Sequence, residues 1–182
     1  IAAMRQADPL RVAEPALARL RERLEVTCFI AVMGNKGPTI VRFEEPGLPV
    51  TVNVRVGSVL SMLWSATGRV FLALTEDSRV QAMAREELAA ASPEQRQLLD
   101  ARDPIGRLRE EVRGLGLACI RDVYLQGISA VAAPLYDHSG QVRAVLTSLG
   151  ATGGFDANPQ GPIAQAVAAE ARAASAALGH RA

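Results

Sequence analysis

Two pairs of apolar, strand-length runs, each joined by a tight turn, constrain this chain more than any other feature. Gly127–Tyr136 and Gln141–Leu149 flank Asp137-His-Ser-Gly140, while Val26–Met33 and Thr39–Glu45 flank Asn35-Lys-Gly-Pro38. Turns this short join antiparallel neighbours, because a parallel pair needs a crossover of about a dozen residues or more. The hairpins argue against a doubly wound parallel sheet. Val26–Met33 is apolar at nearly every position and reads as a strand buried on both faces. Leu117–Arg121 reads as a further strand. Another is expected over Val50–Val56, where Val50, Val52, Val54 and Val56 alternate with Thr51, Asn53 and Arg55.

Helical spacing fills the intervals. Residues 9–24 carry Ala13, Leu17, Leu20 and Leu24 on one face. Short helices are predicted from Thr67 to Leu74 and over 77–90, 93–102 and 104–115. Ser92 and Pro93 form an N-cap and first-turn pair, and Gly114 and Gly116 stop the last of these helices. A closing Ala-rich helix is predicted over 160–178. The order is helix, three strands, helical insert, three strands, helix. It predicts an α+β domain: a roughly six-stranded antiparallel sheet flanked by helices.

The 182 residues suit a single domain, and 49% hydrophobic content against 21% charged excludes wholesale disorder. No apolar run approaches the roughly 18 residues a membrane span needs, so no membrane partner is expected. Twenty basic against nineteen acidic side chains give a formal net charge of +1. That balance does not demand the concentrated basic surface of a compact DNA-binding module. Cys28 and Cys119 lie in apolar strand-like runs, with no C-x-x-C and no histidine at zinc-site spacing. They read as buried thiols, with no metal site, in a protein suited to a reducing cytoplasm.

Catalytic signatures are missing. His138 sits in a turn and His180 near the end of the chain, where solvent is the expected environment. Gly114-Leu-Gly116 ends a helix rather than opening one, the wrong context for a dinucleotide turn. A hydrolase using Ser65 or Ser129 lacks a general base within reach by sequence. No cofactor is implied. One segment does suit a ligand: Val56-Gly-Ser-Val-Leu-Ser-Met-Leu-Trp-Ser-Ala-Thr-Gly-Arg69 leads from a strand into a helix through small residues and hydroxyls. A helix starting near Ser65 or Ala66 offers free N–H groups and a positive dipole end, which suit a carboxylate. Leu60, Met62, Leu63 and Trp64 could supply apolar wall. The competing reading of these residues is a plain N-capped core helix.

Within that segment, Val56-Gly-Ser58 followed by Ser65-Ala-Thr-Gly-Arg-Val-Phe-Leu-Ala73 resembles a known signature, Val-Gly-Ser … Thr-Ala-x-Gly-Lys-Ala-x-Leu-Ala. It belongs to the effector-binding domain of IclR-type transcriptional regulators. Gly127-Ile-Ser-Ala-Val-Ala-Ala-Pro-Leu-Tyr-Asp137 resembles the family's Gly-x-x-x-x-Ala-x-Pro-Val-Phe-Asp. Gly140-Gln-Val-Arg-Ala-Val-Leu-Thr-Ser148 then matches the strand that follows it. The two blocks anchor a resemblance over most of residues 10–178, within a single effector-binding and oligomerisation domain spanning 1–182.

The resemblance implies a GAF-like fold, a small-molecule pocket between the sheet and the helical insert, and self-association into dimers or tetramers. It also implies a winged helix-turn-helix upstream of Ile1, through which alone DNA would be bound. Carried over by position, Ala66, Thr67 and Gly68 hold an acid group by main-chain N–H, and Leu60, Met62 and Trp64 line the apolar side. From the sheet, Ile120, Asp122, Ala130, Thr147 and Leu149 match ligand-contacting positions. Ala130 stands where many members have Cys, Ile120 where a polar group can occur, Gln126 where Glu is common, and Arg69 where Lys is usual. These departures imply a more apolar pocket and an aromatic or otherwise bulkier carboxylate. The expected function is the ligand-sensing half of a bacterial regulator, not an enzyme. The alternative is a stand-alone GAF-like sensor or interaction domain.

Overall fold

The computed structural model describes residues 8–47 and 54–182. Helix α1, Pro9–Leu24, starts where the Asp8 carboxylate accepts from the Leu10 N–H at 3.0 Å and Pro9 occupies the first turn. It ends at Glu25, whose φ of 53° breaks the helical path. Ala13, Ala16, Leu17 and Leu20 are its buried stripe, and each leucine contributes about 2 kcal/mol by leaving water.

Five strands follow the expected hairpin logic: β1 Thr27–Gly34, β2 Gly37–Glu44, β3 Ala118–Arg121, β4 Ile128–Tyr136 and β5 Val142–Ala151. They form one antiparallel sheet in the order β2-β1-β5-β4-β3. The two halves of the sequence meet at its centre, where β1 pairs with β5. Period-two alternation then sorts the side chains between two cores. Cys28, Ile30, Val131 and Leu146 face α1 and the closing helix α6, Pro162–Ala177. Phe29, Ala31, Ala130, Ala132 and Leu149 face the helical insert. That insert comprises α2 Ala66–Leu74, α3 Ser78–Ala90, α4 Pro93–Gln97 and α5 Pro104–Leu115. Helix α2 lies on the sheet, with α5 and α3 packed against it.

Three expectations need correction. Of the strand expected over Val50–Val56, residues 50–53 lie outside the described residues, and 54–57 are coil and turn. The chain bends there because Ser58 Oγ accepts from the Arg55 N–H at 3.0 Å and Gly57 takes a φ of 93°. Edge pairing comes slightly later: Gly57 N–H donates to Ile40, Ser58 accepts from Ile40 and Leu60 N–H donates to Pro38 at 2.7–2.9 Å. The sheet thus has five strands among the described residues, with a short sixth ribbon against β2. The helix expected over 93–102 stops at Gln97, because the Asp100 carboxylate takes the N–H groups of Arg102 and Asp103, both at 2.9 Å. That local turn competes with helix continuation. The run read as ending at Leu149 continues further, since β5 runs on to Ala151 before a short 3-10 turn at Thr152–Gly154.

Candidate ligand site

The entry to α2 is built from short side chains that satisfy one another. Ser65 is its N-cap, in extended conformation (φ −92°, ψ 147°), and its Oγ accepts from the Gly68 N–H at 2.9 Å while donating to the Ser61 carbonyl at 2.5 Å. Glu87, reaching across from α3, accepts from the N–H groups of Met62 at 2.7 Å and Leu63 at 3.3 Å and from the Ser61 hydroxyl. Arg69 is buried one turn into the helix, and its Nε donates to the Leu63 carbonyl at 2.7 Å. Burial pushes the Arg69 guanidinium down to about 10 against the opposing attraction of Glu111. The Ser61–Ser65 turn is thereby tied on both sides.

Gly68 has a packing role of its own. A Cβ there would lie 2.0 Å from the Ser61 carbonyl oxygen and 2.6 Å from Met62 Cα. Only glycine lets the turn press this close to the helix. Because Ser65 takes the Gly68 N–H, the N–H groups of Ala66 and Thr67 are the first-turn donors without an acceptor among the described residues. They sit where the helix dipole favours negative charge. Thr67 Oγ1 lies 2.7 Å from Thr147 Oγ1 and pins the start of α2 to the centre of β5.

Beneath this helix end lies an apolar cavity of about 30 Å³, lined from the sheet by Phe29, Ile120, Ile128, Ala130, Thr147 and Leu149. From above it is closed by Leu60, Ser65, Ala66 and Thr67, and at its mouth by Val54, Tyr124 and Leu125. Among the described residues, no charged side chain lines it. Its volume suits about one water molecule. Tyr124 and Leu125 are 37% and 40% exposed, so the mouth is closed by residues that also face solvent. Burial pushes the Tyr124 hydroxyl above the ordinary tyrosine range, the backbone of Ser61 pulling the other way.

Seven of the eleven residues singled out from the sequence come together here: Leu60, Ala66, Thr67, Ile120, Ala130, Thr147 and Leu149. Met62, at 1% exposure, and Trp64, at 6%, lie in the same core but do not line the cavity. Gly68 is behind it, against the turn. Asp122 stands outside, exposed, with a φ of 57°. Its carboxylate accepts from the Gly127 N–H at 2.8 Å and the Thr152 hydroxyl at 2.7 Å, which shapes the Asp122–Gly127 loop carrying Tyr124 and Leu125. Sequence reasoning missed Phe29, Ile128, Tyr124 and Leu125. The first two were findable, since each is two residues from a residue on the insert-facing side of the sheet and period two puts it on that side.

The fold and the cavity together define an α+β domain with a candidate small-molecule site under a helix N-terminus. The family described as "Bacterial transcriptional regulator IclR C-terminal" matches residues 1–176, and the chain belongs to it. The Pca regulon regulatory protein of Pseudomonas putida is 30% identical over 142 residues, 76% of this chain and 47% of that protein. The chain therefore spans about half the length of that curated relative. HmgR of Pseudomonas aeruginosa is 40% identical, with a TM-score of 0.83 over 95% of this chain and 68% of that one. The IclR protein of Thermotoga maritima, 19% identical, shares the fold at a TM-score of 0.78, covering 97% of this chain and 70% of its own. The first of these relatives is a regulatory protein by name. Among the described residues, no helix is long and apolar enough to cross a membrane.

Proposed function

We propose that this domain senses a small organic acid in the cavity under α2 and passes its occupancy to DNA binding through self-association. The observation that carries the reading is the pair of unaccepted N–H groups, Ala66 and Thr67, opening on a cavity without a charged side chain. A carboxylate there gains two donors and a dipole and meets no competing anion. Once parted to admit a ligand, the apolar walls of Phe29, Leu60, Ile120, Ile128 and Leu149 suit an aromatic or similarly bulky body rather than a two- or three-carbon acid. DNA contact is assigned to a separate winged helix-turn-helix, and the signal to a shift between two arrangements of a dimer or tetramer. Such a shift requires the acid to favour one arrangement over the other.

The test is calorimetric titration of this chain with phenylacetate and with phenylacetamide, its neutral counterpart. The acid should bind and the amide should not. Ala66→Pro removes one of the two N–H groups at the first helical position, where proline is well tolerated, and Ser65 already has the extended ψ of 147° that a following proline needs. It should weaken the acid about tenfold or more while the chain stays folded. Equal binding of acid and amide, or an unchanged affinity in Ala66→Pro, would refute the carboxylate site.

A further inference from the structure

The insert-facing side of the sheet is arranged in cross-strand rows. Ile120 pairs with Ala130, Ala130 with Leu149, and Leu149 with Thr27, so these four residues cross β3, β4, β5 and β1 on one face. The first three line the cavity. Thr27, the fourth, is 1% exposed, and its hydroxyl is the one buried side-chain polar atom without a hydrogen-bond partner among the described residues. Phe29, two residues on and therefore on the same face, is also part of the cavity wall. A buried hydroxyl left unpaired is costly, and native proteins keep few of them. An apolar residue would serve packing better here, as Leu149 and Ala130 do in the same row.

We propose that the ligand site extends along this row to Thr27, whose hydroxyl binds a second polar group of the ligand at the end opposite its carboxylate. This rests on the reading of the α2 N-terminus as the acid site, and it narrows the ligand class. Thr147, which touches Thr67 at that helix end, is the diagonal neighbour of Thr27, two residues along β5 from its partner Leu149. Diagonal neighbours lie roughly 7–8 Å apart, so Thr27 stands beside the acid site rather than in it. The ligand is therefore an acid carrying a hydroxyl or carbonyl group away from its carboxylate. A threonine hydroxyl both donates and accepts, so either group satisfies it.

The experiment uses phenylacetate and its 2-, 3- and 4-hydroxy derivatives, titrated into this chain and into Thr27→Val and Thr27→Ser. Valine keeps the β-branched shape and removes only the hydroxyl, so the strand retains its packing. At least one hydroxy isomer should bind the natural chain up to about tenfold more tightly than phenylacetate, the worth of one hydrogen bond. Thr27→Val should erase that advantage while leaving phenylacetate itself unchanged, and Thr27→Ser should keep most of it. If phenylacetate binds but no isomer shows an advantage that depends on Thr27, the hydroxyl serves a buried water and the extension is overturned. Equal weakening of all four acids in Thr27→Val would overturn it too, as the mark of a packing role. If phenylacetate does not bind at all, the acid site fails, and this inference with it.

Discussion

Gly68→Ala tests whether the Ser61–Ser65 turn and the start of α2 are one rigid unit. The added methyl would stand 2.0 Å from the Ser61 carbonyl oxygen and 2.6 Å from both Met62 Cα and its carbonyl oxygen. Ordinary contact begins near 3.4 Å, so turn and helix must part by 3.4 − 2.0 = 1.4 Å. All three atoms are backbone, and the turn is held from behind by Glu87 and Arg69, so no side chain can swing aside. Overpacking of this kind costs about 1–3 kcal/mol, and loosening the Ser65 cap adds about 1 kcal/mol. The sum is about 3 kcal/mol. At roughly 2–4 °C per kcal/mol for a chain of this size, Tm falls by about 6–12 °C. Thermal unfolding followed by far-ultraviolet circular dichroism measures this, with Gly114→Ala as control. Gly114 is an exposed helical position with open space around its missing Cβ, so alanine there should stabilise by about 0.5–1 kcal/mol. A Gly68→Ala Tm within 2 °C or so of the natural chain would refute the rigid-unit argument.

Further outcomes follow from other parts of the molecule. Burial pushes the Asp137 carboxyl up, but hydrogen bonds from Ser139, Arg143 and Gln141 outweigh it and hold the group well below the ordinary carboxylate range. A depressed folded-state value means that this stabilisation is full above the unfolded value of about 3.9 and is lost as pH falls below it. Asp137→Ala should therefore cost about 1.5–3 kcal/mol in urea unfolding at pH 7, with a smaller penalty at pH 3. Burial pushes both thiols, Cys28 and Cys119, up to about 11. Iodoacetamide at pH 8 should label neither within the time that labels both in urea, as read by mass spectrometry. Leu125→Ala, trimming the cavity mouth, should raise the stopped-flow association rate of a bound acid while leaving Tm within about 2 °C, since the side chain is 40% exposed.

What was legible in the sequence was whatever local chemistry dictates. The β4–β5 hairpin followed from its turn, the α4 start from Ser92 and Pro93, and the α5 end from Gly116, which takes a φ of 74°. Seven pocket residues were legible through the family resemblance that the two motif blocks anchor. What escaped depended on contacts between distant positions. Nothing near Glu87 in the sequence announces that its carboxylate will hold the Ser61–Ser65 turn, 24–26 residues upstream. Asp122 looked like a ligand contact until Thr152, 30 residues on, supplied the hydroxyl that makes it a loop anchor. Gly68 looked like a backbone donor, whereas the Ser65 side chain already takes its N–H. Thr27 carries no local signal, because its meaning lies in a row assembled from four strands.

The size of the cavity bears on how such a site could signal. At about 30 Å³ it falls far short of the roughly 300 Å³ or more of a typical ligand pocket. An acid can bind only to a conformation in which the mouth residues or α2 have moved, so the closed form has almost no affinity for it. A ligand that binds one form alone shifts the conformational equilibrium toward that form by an amount that grows with its concentration relative to Kd. Of the two walls, the sheet is the stiffer, since β4 and β5 are hydrogen-bonded on both sides and buried. The movement therefore falls to the Asp122–Gly127 loop and to the Ser61–Ser65 turn together with the start of α2. The turn is tied through Glu87 to α3 and through Arg69 to α2 itself. Glu87→Gln keeps the shape but exchanges a charged acceptor for a neutral one, weakening the hold on the Met62 and Leu63 N–H groups. It should raise the open fraction, tighten apparent acid binding and lower Tm together. Tighter binding without a loss of Tm, or a loss of Tm without tighter binding, would place the moving element elsewhere.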